Sequence, residues 1–364
     1  MSFHGSYRAE DVEFLLKPIP VAMIEDTLEK EHLIQTGKRH YSEMLSPEKL
    51  PSEQYRRLFF AAHEMNRERM ARDCLILAQL ILQKVGSRPT LVSLARAGTP
   101  VGAIVAHILR RITAHAIPHY SVSIIRDRGI DANALDTILA RGAEPESLVF
   151  IDGWTGKGVI TAELSQAIAN YNAARGTSIR SDLYVLADLA GKAFCAATVE
   201  DYLIPSSILN ATISGLISRT VLNEAIGEDD YHGCVLFTEF APHDLSVWFV
   251  DEVVQIVSAL LSASDHWQTP QAVDWAEQSQ RSDAFIAEEM ARHGISDRNL
   301  VKPGIGEATR VLLRRLPERL VLRDRELPAV QHLITLAREK HVPIEIRPSL
   351  HLNAVSIIRS AADA

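Results

Sequence analysis

The chain of 364 residues has 47% hydrophobic and 23% charged residues and a formal net charge of −8, which is typical of a globular protein with more than one domain. No apolar run is expected to reach the roughly 20 residues that a membrane-spanning helix needs, so the composition argues against an integral membrane protein and favours the cytoplasm. The three cysteines are odd in number and widely spaced, which argues against a disulfide framework or a zinc cluster and indicates reduced thiols.

Residues 1–85 are predicted to form an N-terminal helical region. Between Tyr55 and Leu82 apolar side chains recur every three or four residues without glycine or proline, which predicts one long helix. From Pro89 to about Val199 short runs rich in Val, Ile and Leu alternate with helical patterns, as in βαβ units whose parallel strands are covered on both faces. With a helix predicted at Leu245 to Leu261, residues 86–262 form a doubly wound α/β domain.

The last part of the chain is predicted to be a second, smaller α/β domain. Residues 263–284 are polar and read as a linker, and residues 285–364 contain a G-I-G turn, two helices, two strands and a final apolar helix. From Arg298 to the end there are 12 Lys and Arg against 7 Asp and Glu, or +5, which leaves 26 against 39, or −13, for the rest. A basic domain on an acidic body is compatible with nucleic-acid binding and also with a solvated surface.

The first candidate loop is L-V-S-L-A-R-A-G-T-P-V-G, where a strand ends and a helix begins at Pro100. A glycine here allows close backbone approach, the free N–H groups of a helix start attract anions, and an arginine fork suits phosphate or pyrophosphate. We therefore expect an anion-binding loop. The alternative is an ordinary turn with proline at the first helical position. The candidate residues are Arg96, Ala97, Gly98 and Thr99.

The second candidate loop is S-L-V-F-I-D-G-W-T-G-K-G-V-I, in which a buried strand places Asp152 at its carboxyl end. Asp152 is a candidate for contacts to ribose hydroxyls or, through water, to Mg²⁺. If the two strands are neighbours, both loops meet at one edge of the sheet. It is not a Walker A loop, because G-x-x-x-x-G-K-[ST] is absent, and a turn without a ligand is the alternative. The candidates for holding a terminal phosphate are Thr155, Gly156, Lys157 and Gly158.

A third strand ends in I-I-R-D-R-G-I-D, which places two arginines near the same edge. Arg126 and Arg128 are candidates to close over a phosphorylated substrate and to act in catalysis together with Asp152. A cluster of surface ion pairs is the alternative. The segment R-H-Y-S-E, Arg39 to Glu43, is polar enough to cap the same edge.

Together the two loops resemble the phosphoribosyltransferase family, whose members carry a pyrophosphate loop and an acidic D-x-x-x-T-G-x-T loop at such places. The resemblance implies a phosphoribosyltransferase-like fold, phosphoribosyl pyrophosphate or a nucleotide as ligand, and Mg²⁺ as cofactor. The sequence departs from the family pattern at Gly153, where a second acid is usual, and at Gly158, where a threonine is usual. The segment between Asp152 and Thr155 is also shorter.

A longer resemblance covers Phe3 to about Leu261. The segments G-S-Y-R-A-E-D-V-E-F-L-L-K-P, R-H-Y-S-E-M-L, S-L-A-R-A-G-T-P, I-I-R-D-R-G-I-D and D-G-W-T-G-K-G are similar to the bacterial StiP family. Its members belong to tellurite- and stress-resistance gene clusters and have been described both as phosphoribosyltransferase-like and as cysteine proteases. The ending K-P-G-I-G-E-A-T-R-V-L-L-R-R with R-L-V-L-R-D and H-V-P-I-E-I resembles the Pelota-type RNA-binding domain, which implies RNA as a partner.

The leading functional prediction is a phosphoribosyltransferase-like protein that binds phosphoribosyl pyrophosphate or a nucleotide with Mg²⁺, in nucleotide-related or stress-resistance metabolism. A cysteine protease or hydrolase is the first alternative. Cys234, two residues after His232 on a predicted strand, and Cys195 are its candidate nucleophiles, although a free cysteine is more often a small buried apolar side chain. The acceptor and the oligomeric state stay open.

The second alternative is a non-catalytic RNA-binding protein. A helix in the last domain sets three arginines at positions i, i+4 and i+5, with a lysine before it, and these would contact RNA phosphates. A solvated helix face is the other interpretation. The residues concerned are Lys302, Arg310, Arg314 and Arg315.

Overall fold

The computed structural model describes residues 2–263 and 273–359. The N-terminal part begins with β1 (Glu13–Leu15) and β2 (Lys17–Pro18) and continues with α1 (Thr27–Gln35) and α2 (Glu53–Val85). The hydroxyl of Ser52 caps α2 by accepting from the N–H of Tyr55, and the helix ends at Gly86, which has a φ of 96°. The predicted long helix is confirmed. The two strands were not expected, because two or three residues are too few to show strand alternation.

The central part alternates strands and helices, as predicted. Its sheet has the order β1-β4-β3-β7-β8-β9 with every neighbouring pair parallel, so a mixed α/β fold with a six-stranded parallel sheet is confirmed. The phosphoribosyltransferase-like topology stays a prediction. The elements are β3 (Thr90–Leu94), α3 (Gly98–Thr113), β4 (His119–Val122), β5 (Ile124–Ile125), β6 (Gly129–Ile130), α4 (Ala132–Ala140), β7 (Leu148–Thr155), α5 (Val159–Arg175), β8 (Leu183–Asp188), β9 (Cys195–Thr198), β10 (Gly233–Cys234) and α6 (Ser246–Ser262).

The central sheet is covered on both faces, which explains why its strands are apolar throughout rather than alternating. Every residue of β3, β7 and β8 is buried. Leu91 and Ile151 belong to the hydrophobic cluster that includes α2, α3 and α6, whereas Val92 and Phe150 pack with α4 and α5. Two smaller pairings lie beside this sheet, the antiparallel hairpin of β5 and β6 and the parallel pair of β2 and β10.

One segment among the described residues, Thr238–Ser262 with 25 residues, is long and apolar enough by length and composition to cross a membrane. This is weak evidence for a membrane span, because a core helix of a soluble protein can have the same length and apolar composition. Pro242 lies in a 3-10 turn at its start, and α6 packs on α2 and α3 through a buried face made of Phe249, Val250, Val253 and Val257.

The C-terminal part forms a second, four-stranded sheet in the order β11-β14-β12-β13. Helix α7 begins inside the predicted linker, and residues 264–272 of that linker lie outside the described residues. The elements are α7 (Trp275–His293), β11 (Val301–Pro303), α8 (Ile305–Arg314), β12 (Pro317–Leu322), α9 (Gln331–Glu339), β13 (Ile344–Ile346) and β14 (Ala354–Ile358).

The predicted final apolar helix is wrong, because Ala354–Ile358 is the strand β14. All five of its residues are buried, and it pairs antiparallel with both β11 and β12. A short continuous apolar run does not distinguish a buried helix from a buried strand by periodicity. Its β-branched valine and isoleucines favour the strand.

The two sheet domains share a hydrophobic core. Phe59 and Leu77 of α2 belong to the same cluster as Leu312 of α8 and Leu333 of α9. The carboxylate of Asp201, which follows β9, accepts hydrogen bonds from the backbone N–H groups of Ile305 at 2.9 Å and Asn353 at 2.8 Å. The C-terminal domain is therefore packed closely against the body, at the edge of the parallel sheet where β3 and β7 end.

Candidate functional site

The two loops predicted to form the site lie side by side. Strands β3 and β7 are hydrogen-bonded neighbours, with Ser93 opposite Ile151, so the loops that follow them leave the same edge of the sheet. A methyl group on Gly98 would lie 2.2 Å from the carbonyl oxygen of Ile151 and 3.1 Å from the Cα of Asp152. Only glycine allows so close an approach, and the structure therefore brings the two predicted loops together.

The guanidinium of Arg96 is already bound within the protein. Arg96 is 8% exposed and donates hydrogen bonds to the carbonyl of Ile217 and to the carboxylate of Glu48. Burial raises the pKa of Glu48, but the charges of Arg96 and Arg314 outweigh it and hold that pKa below its ordinary value. Ala97, which follows Arg96 in the loop, has α-helical backbone angles. The hydroxyl of Thr99 forms a hydrogen bond with the hydroxyl of Ser121 at 2.8 Å.

Asp152 is a buried carboxyl group with few partners. It is 7% exposed, and its Oδ1 accepts from the N–H of Gly153 at 2.8 Å. Burial raises the pKa of Asp152 to about 6, although the charge of Arg310 acts in the opposite direction. Among the described residues no group of three or more His, Cys, Asp or Glu could hold a metal ion, and the prediction for Asp152 was a contact to Mg²⁺ through water. Magnesium binding stays untested.

The rest of the second loop is in contact with the C-terminal domain. The hydroxyl of Thr155 accepts from the N–H of Gly158 at 3.0 Å, and Lys157 donates to the carbonyl of Arg298 at 2.8 Å. Burial and the neighbouring charge of Lys302 lower the pKa of Lys157 to about 7. A methyl group on Gly156 would lie 3.0 Å from the carbonyl oxygen of Pro303. The second loop therefore contacts the C-terminal domain, and phosphate binding by its residues stays a prediction.

Trp154 also lies at the contact between the second loop and the C-terminal domain. A methyl group on Gly306 would lie 2.5 Å from the Cε2 of Trp154, and the guanidinium carbon of Arg310 stands 4.2 Å from its ring centroid. Arg310 also pairs with Glu307 at 3.0 Å. The sequence did not indicate a role for Trp154, because its partners Gly306 and Arg310 lie about 150 residues away along the chain.

Arg126 and Arg128 lie on the β5–β6 hairpin and contact the segment that was predicted to cap this edge. The N–H of Arg126 donates to the hydroxyl of Tyr41 at 2.8 Å, and its guanidinium bonds Asn299 at 3.2 Å. Arg128 pairs with Glu43 at 3.3 Å. The hairpin, the N-terminal segment and the C-terminal domain therefore meet here, and the catalytic role of the two arginines stays a prediction.

Three of the four residues predicted to bind RNA, Arg310, Arg314 and Arg315, contact the body. Arg314 donates to the side-chain oxygen of Asn210 at 3.1 Å, and Arg315 pairs with Glu31, at 2.9 Å for one of its two bonds. Arg310 packs on Trp154, and Lys302 is close enough to Glu307 for the charges to affect each other. RNA binding through these side chains stays a prediction, and it would require them to leave their present partners.

The three cysteines are free and buried, so none resembles a reactive thiol. Cys74 and Cys234 are 0% exposed and Cys195 is 6% exposed. Burial raises the pKa of all three thiols, that of Cys234 to about 12 and that of Cys74 well above its ordinary value. Reactive cysteines have lowered pKa values, because the thiolate is the nucleophile.

Cys234 nevertheless has a histidine beside it. His232 lies two residues earlier, next to the start of β10, and side chains at that spacing along extended backbone point to the same face. Its Nδ1 bonds the hydroxyl of Ser123 at 2.8 Å, and its backbone N–H donates to the carboxylate of Asp131 at 2.6 Å. Burial lowers the pKa of His232, although Asp131 acts in the opposite direction.

Comparison with known proteins gives three matches. A family model described as tellurite-like stress resistance cysteine protease StiP matches residues 5–254, and a model of the PELOTA RNA binding domain matches residues 280–360. A protein of Acinetobacter baylyi named cysteine protease StiP is 39% identical over 354 residues, which cover 94% of this chain and 90% of the relative.

These matches overturn the leading functional prediction. The family model and the relative are both described as cysteine proteases, so the prediction of a phosphoribosyltransferase that binds phosphoribosyl pyrophosphate is wrong. The two loops leave neighbouring strands at one edge of the sheet, but their resemblance to that family does not extend to the activity.

Proposed function

The chain belongs to the StiP family, and on that premise we propose that it is a cysteine protease whose nucleophile is Cys234 and whose general base is His232. The observation that carries this assignment is the placement of the pair. Of the three cysteines, Cys234 alone has a histidine within two residues along the chain. The other candidate, Cys195, has the cations Lys84 and Arg180 and the carboxylate of Asp182 around it.

The neighbours of His232 suit the role of a base. A bond from Nδ1 to Ser123 holds the ring in one orientation and leaves Nε2 to take the thiol proton. Asp131 is 1% exposed and holds the backbone of His232, so its charge would stabilise an imidazolium that forms on this ring. The thiolate would attack the peptide carbonyl carbon, and the proton on His232 would pass to the leaving amine. Water would then release the acyl group from the sulfur.

In its present arrangement Cys234 is latent. Burial raises the pKa of this thiol to about 12, so almost all of it is protonated at neutral pH. The carbonyl of Cys234 also accepts from the N–H of Ile19 at 2.8 Å, in the pairing of β10 with β2. We therefore expect substrate or a partner to separate β10 from β2 before the enzyme acts, which would expose the sulfur and lower its pKa.

Cleavage of an unfolded protein substrate such as casein tests the assignment. Cys234→Ser is expected to lower the rate by about 10³-fold or more, since removing a catalytic nucleophile commonly costs that much. His232→Gln should lower it similarly, whereas Cys195→Ser and Cys74→Ser should cleave like the wild type. If a variant without any cysteine still cleaves casein, the protease proposal fails. If Cys195→Ser alone abolishes cleavage, the nucleophile is misassigned.

A second function, RNA binding by the C-terminal domain, is favoured by the match of residues 280–360 to the PELOTA RNA binding domain. The exposed cations Arg325, Arg338 and Lys340 are available to phosphates without any rearrangement. Anisotropy titration of the full chain with single-stranded RNA at several salt concentrations tests this. Arg325→Gln with Arg338→Gln should weaken binding and flatten the salt dependence more than Arg314→Gln with Arg315→Gln. No binding even at low salt would exclude the function.

We also propose that the body has a phosphoribosyltransferase-like topology and that the protein is located in the cytoplasm. The first is supported by the two loops that leave neighbouring strands β3 and β7. An experimental structure compared strand by strand with that family would test it. Fractionation of bacterial cells would test the second.

A further inference from the structure

Five cationic side chains from four separate segments meet where the C-terminal domain contacts the body. We call this set the interdomain basic cluster; its members are Lys30, Arg96, Arg219, Arg314 and Arg315. Two carboxylates, Glu31 and Glu48, pair with members of the cluster, so the five positive charges exceed these two negative ones by three. No motif in the sequence indicated this meeting.

Both carboxylates are already engaged. Glu48 binds Arg96 through one oxygen and accepts from the N–H of Ala211 at 3.1 Å through the other. Glu31 accepts from Arg315 through both of its oxygens and from the side-chain amide of Gln35 at 3.2 Å. The charges of Glu31 and Glu48 also act on the three remaining cations, but the hydrogen bonds of these cations go to neutral partners.

These neutral partners are hydroxyl, amide and carbonyl oxygens. Lys30 donates to the hydroxyl of Ser46 at 2.7 Å, and Arg314 donates to the amide oxygen of Asn210. Arg219 donates through one nitrogen to the backbone carbonyls of residues 41 and 44. A neutral oxygen satisfies a hydrogen bond but does not compensate a buried charge.

The other terminal nitrogen of Arg219, Nη1, is buried and has no hydrogen-bond partner among the described residues. A buried donor without an acceptor is uncommon in folded proteins and is unfavourable. Burial and the surrounding cations also lower the pKa of Lys30 to about 8, of Arg314 to about 9 and of Arg219 to about 10. The cluster by itself opposes folding, and a bound anion would remove the opposition.

We propose that the interdomain basic cluster binds a phosphate-like oxyanion that carries two negative charges. Guanidinium groups donate paired hydrogen bonds to such an anion, and the lysine adds a point charge. Asp152 and the Thr155–Gly158 turn take no part, so this site shares only Arg96 with the sugar-phosphate site that the loops suggested. Arg314 and Arg315 come from the C-terminal domain and the other members from the body, so the bound anion holds the two together.

Thermal unfolding and calorimetry of the full chain test the proposal, with sodium phosphate compared against sodium chloride of equal ionic strength. The wild type should bind phosphate, and its Tm should rise in phosphate relative to chloride. Arg219→Gln and Arg314→Gln should bind phosphate at least about tenfold more weakly, since each removes a charged hydrogen bond. In chloride their Tm should equal or exceed that of the wild type, because each also removes repulsion. Arg88→Gln, which removes an exposed cation outside the cluster, should respond like the wild type.

The pattern of Tm values separates a ligand site from a structural role. If Arg219→Gln and Arg314→Gln lower the Tm equally in both salts, the arginines are structural and the proposal is wrong; a wild type that takes up no phosphate overturns it as well. Oligoribonucleotides with a 5′-phosphate or a 5′-hydroxyl identify the source of the anion. A preference for the phosphorylated end that Arg219→Gln removes indicates an RNA terminus, and equal binding of both with uptake of inorganic phosphate indicates the free ion. Neither readout depends on proteolysis.

Discussion

Replacement of Asp152 by asparagine tests the electrostatics of the sheet edge. Asp152 is 7% exposed, and burial raises its pKa from 3.8 to about 6 even though Arg310 opposes the shift. The folded state therefore disfavours the ionised form that dominates at neutral pH. Asparagine has almost the same shape, and its oxygen can still accept from the N–H of Gly153, but it never ionises. We expect Asp152→Asn to be more stable than the wild type at neutral pH.

The magnitude follows from linkage between protonation and folding. A shift of about 2 pH units corresponds to about 3 kcal/mol at most. The folded pKa is the higher one, so the penalty is absent below the unfolded value near pH 4, grows as the pH rises, and is complete above about pH 6. The variant should thus exceed the wild type by up to about 3 kcal/mol at pH 7.5 and by almost nothing at pH 4.

Urea unfolding of both proteins between pH 4 and pH 8 measures this difference. Asp229→Asn serves as the matched control, because Asp229 is exposed and the same chemical change there should alter stability little at any pH. A variant that is less stable than the wild type at pH 7.5, or a difference that does not change with pH, would refute the reasoning that Asp152 is a destabilised buried carboxylate.

Three further predictions concern packing, a buried ion pair and the thiols. Gly306→Ala places a methyl group 2.5 Å from Trp154 and should cost about 1–3 kcal/mol in urea unfolding; an unchanged midpoint would contradict the domain contact. Arg347→Ala leaves Glu289, which is 0% exposed, without its arginine and should cost about 3–5 kcal/mol, whereas Arg292→Ala on the surface should cost less than about 1 kcal/mol. All three thiols should react with an aromatic disulfide reagent far more slowly in the native protein than in urea, and one fast native thiol would show that the described burial is wrong.

The sequence predicted the elements that local pattern controls. The spacing of apolar residues located α2, and the short apolar runs located β3, β7 and β8, because burial on both faces requires apolar residues at every position. The position of both loops at one edge followed from the general rule for parallel sheets. Where the apolar run was only five residues long, as in β14, periodicity did not separate strand from helix.

What the sequence did not reveal depends on contacts between distant segments. Arg219 and Lys30 are unremarkable in their own segments, and only the fold brings them beside Arg314. The charge count of the last domain suggested an outward basic surface, yet Arg314 and Arg315 turn toward Asn210 and Glu31. The number of charged residues does not show which way their side chains point. The charge count therefore predicted the excess of positive charge in this domain but not its location at the contact with the body.

The inward direction of α8 determines how pieces of this chain behave when they are separated. In a fragment spanning residues 280–360, Arg310, Arg314 and Arg315 would be exposed to water and free to bind any polyanion. We therefore expect this fragment to retain nucleic acid during purification, through side chains that contact the body in the intact chain. The complementary piece would expose the indole of Trp154, which Arg310 covers in the intact chain. Separating the domains therefore exposes two surfaces that are covered in the native molecule, the basic face of α8 and the apolar surface at Trp154.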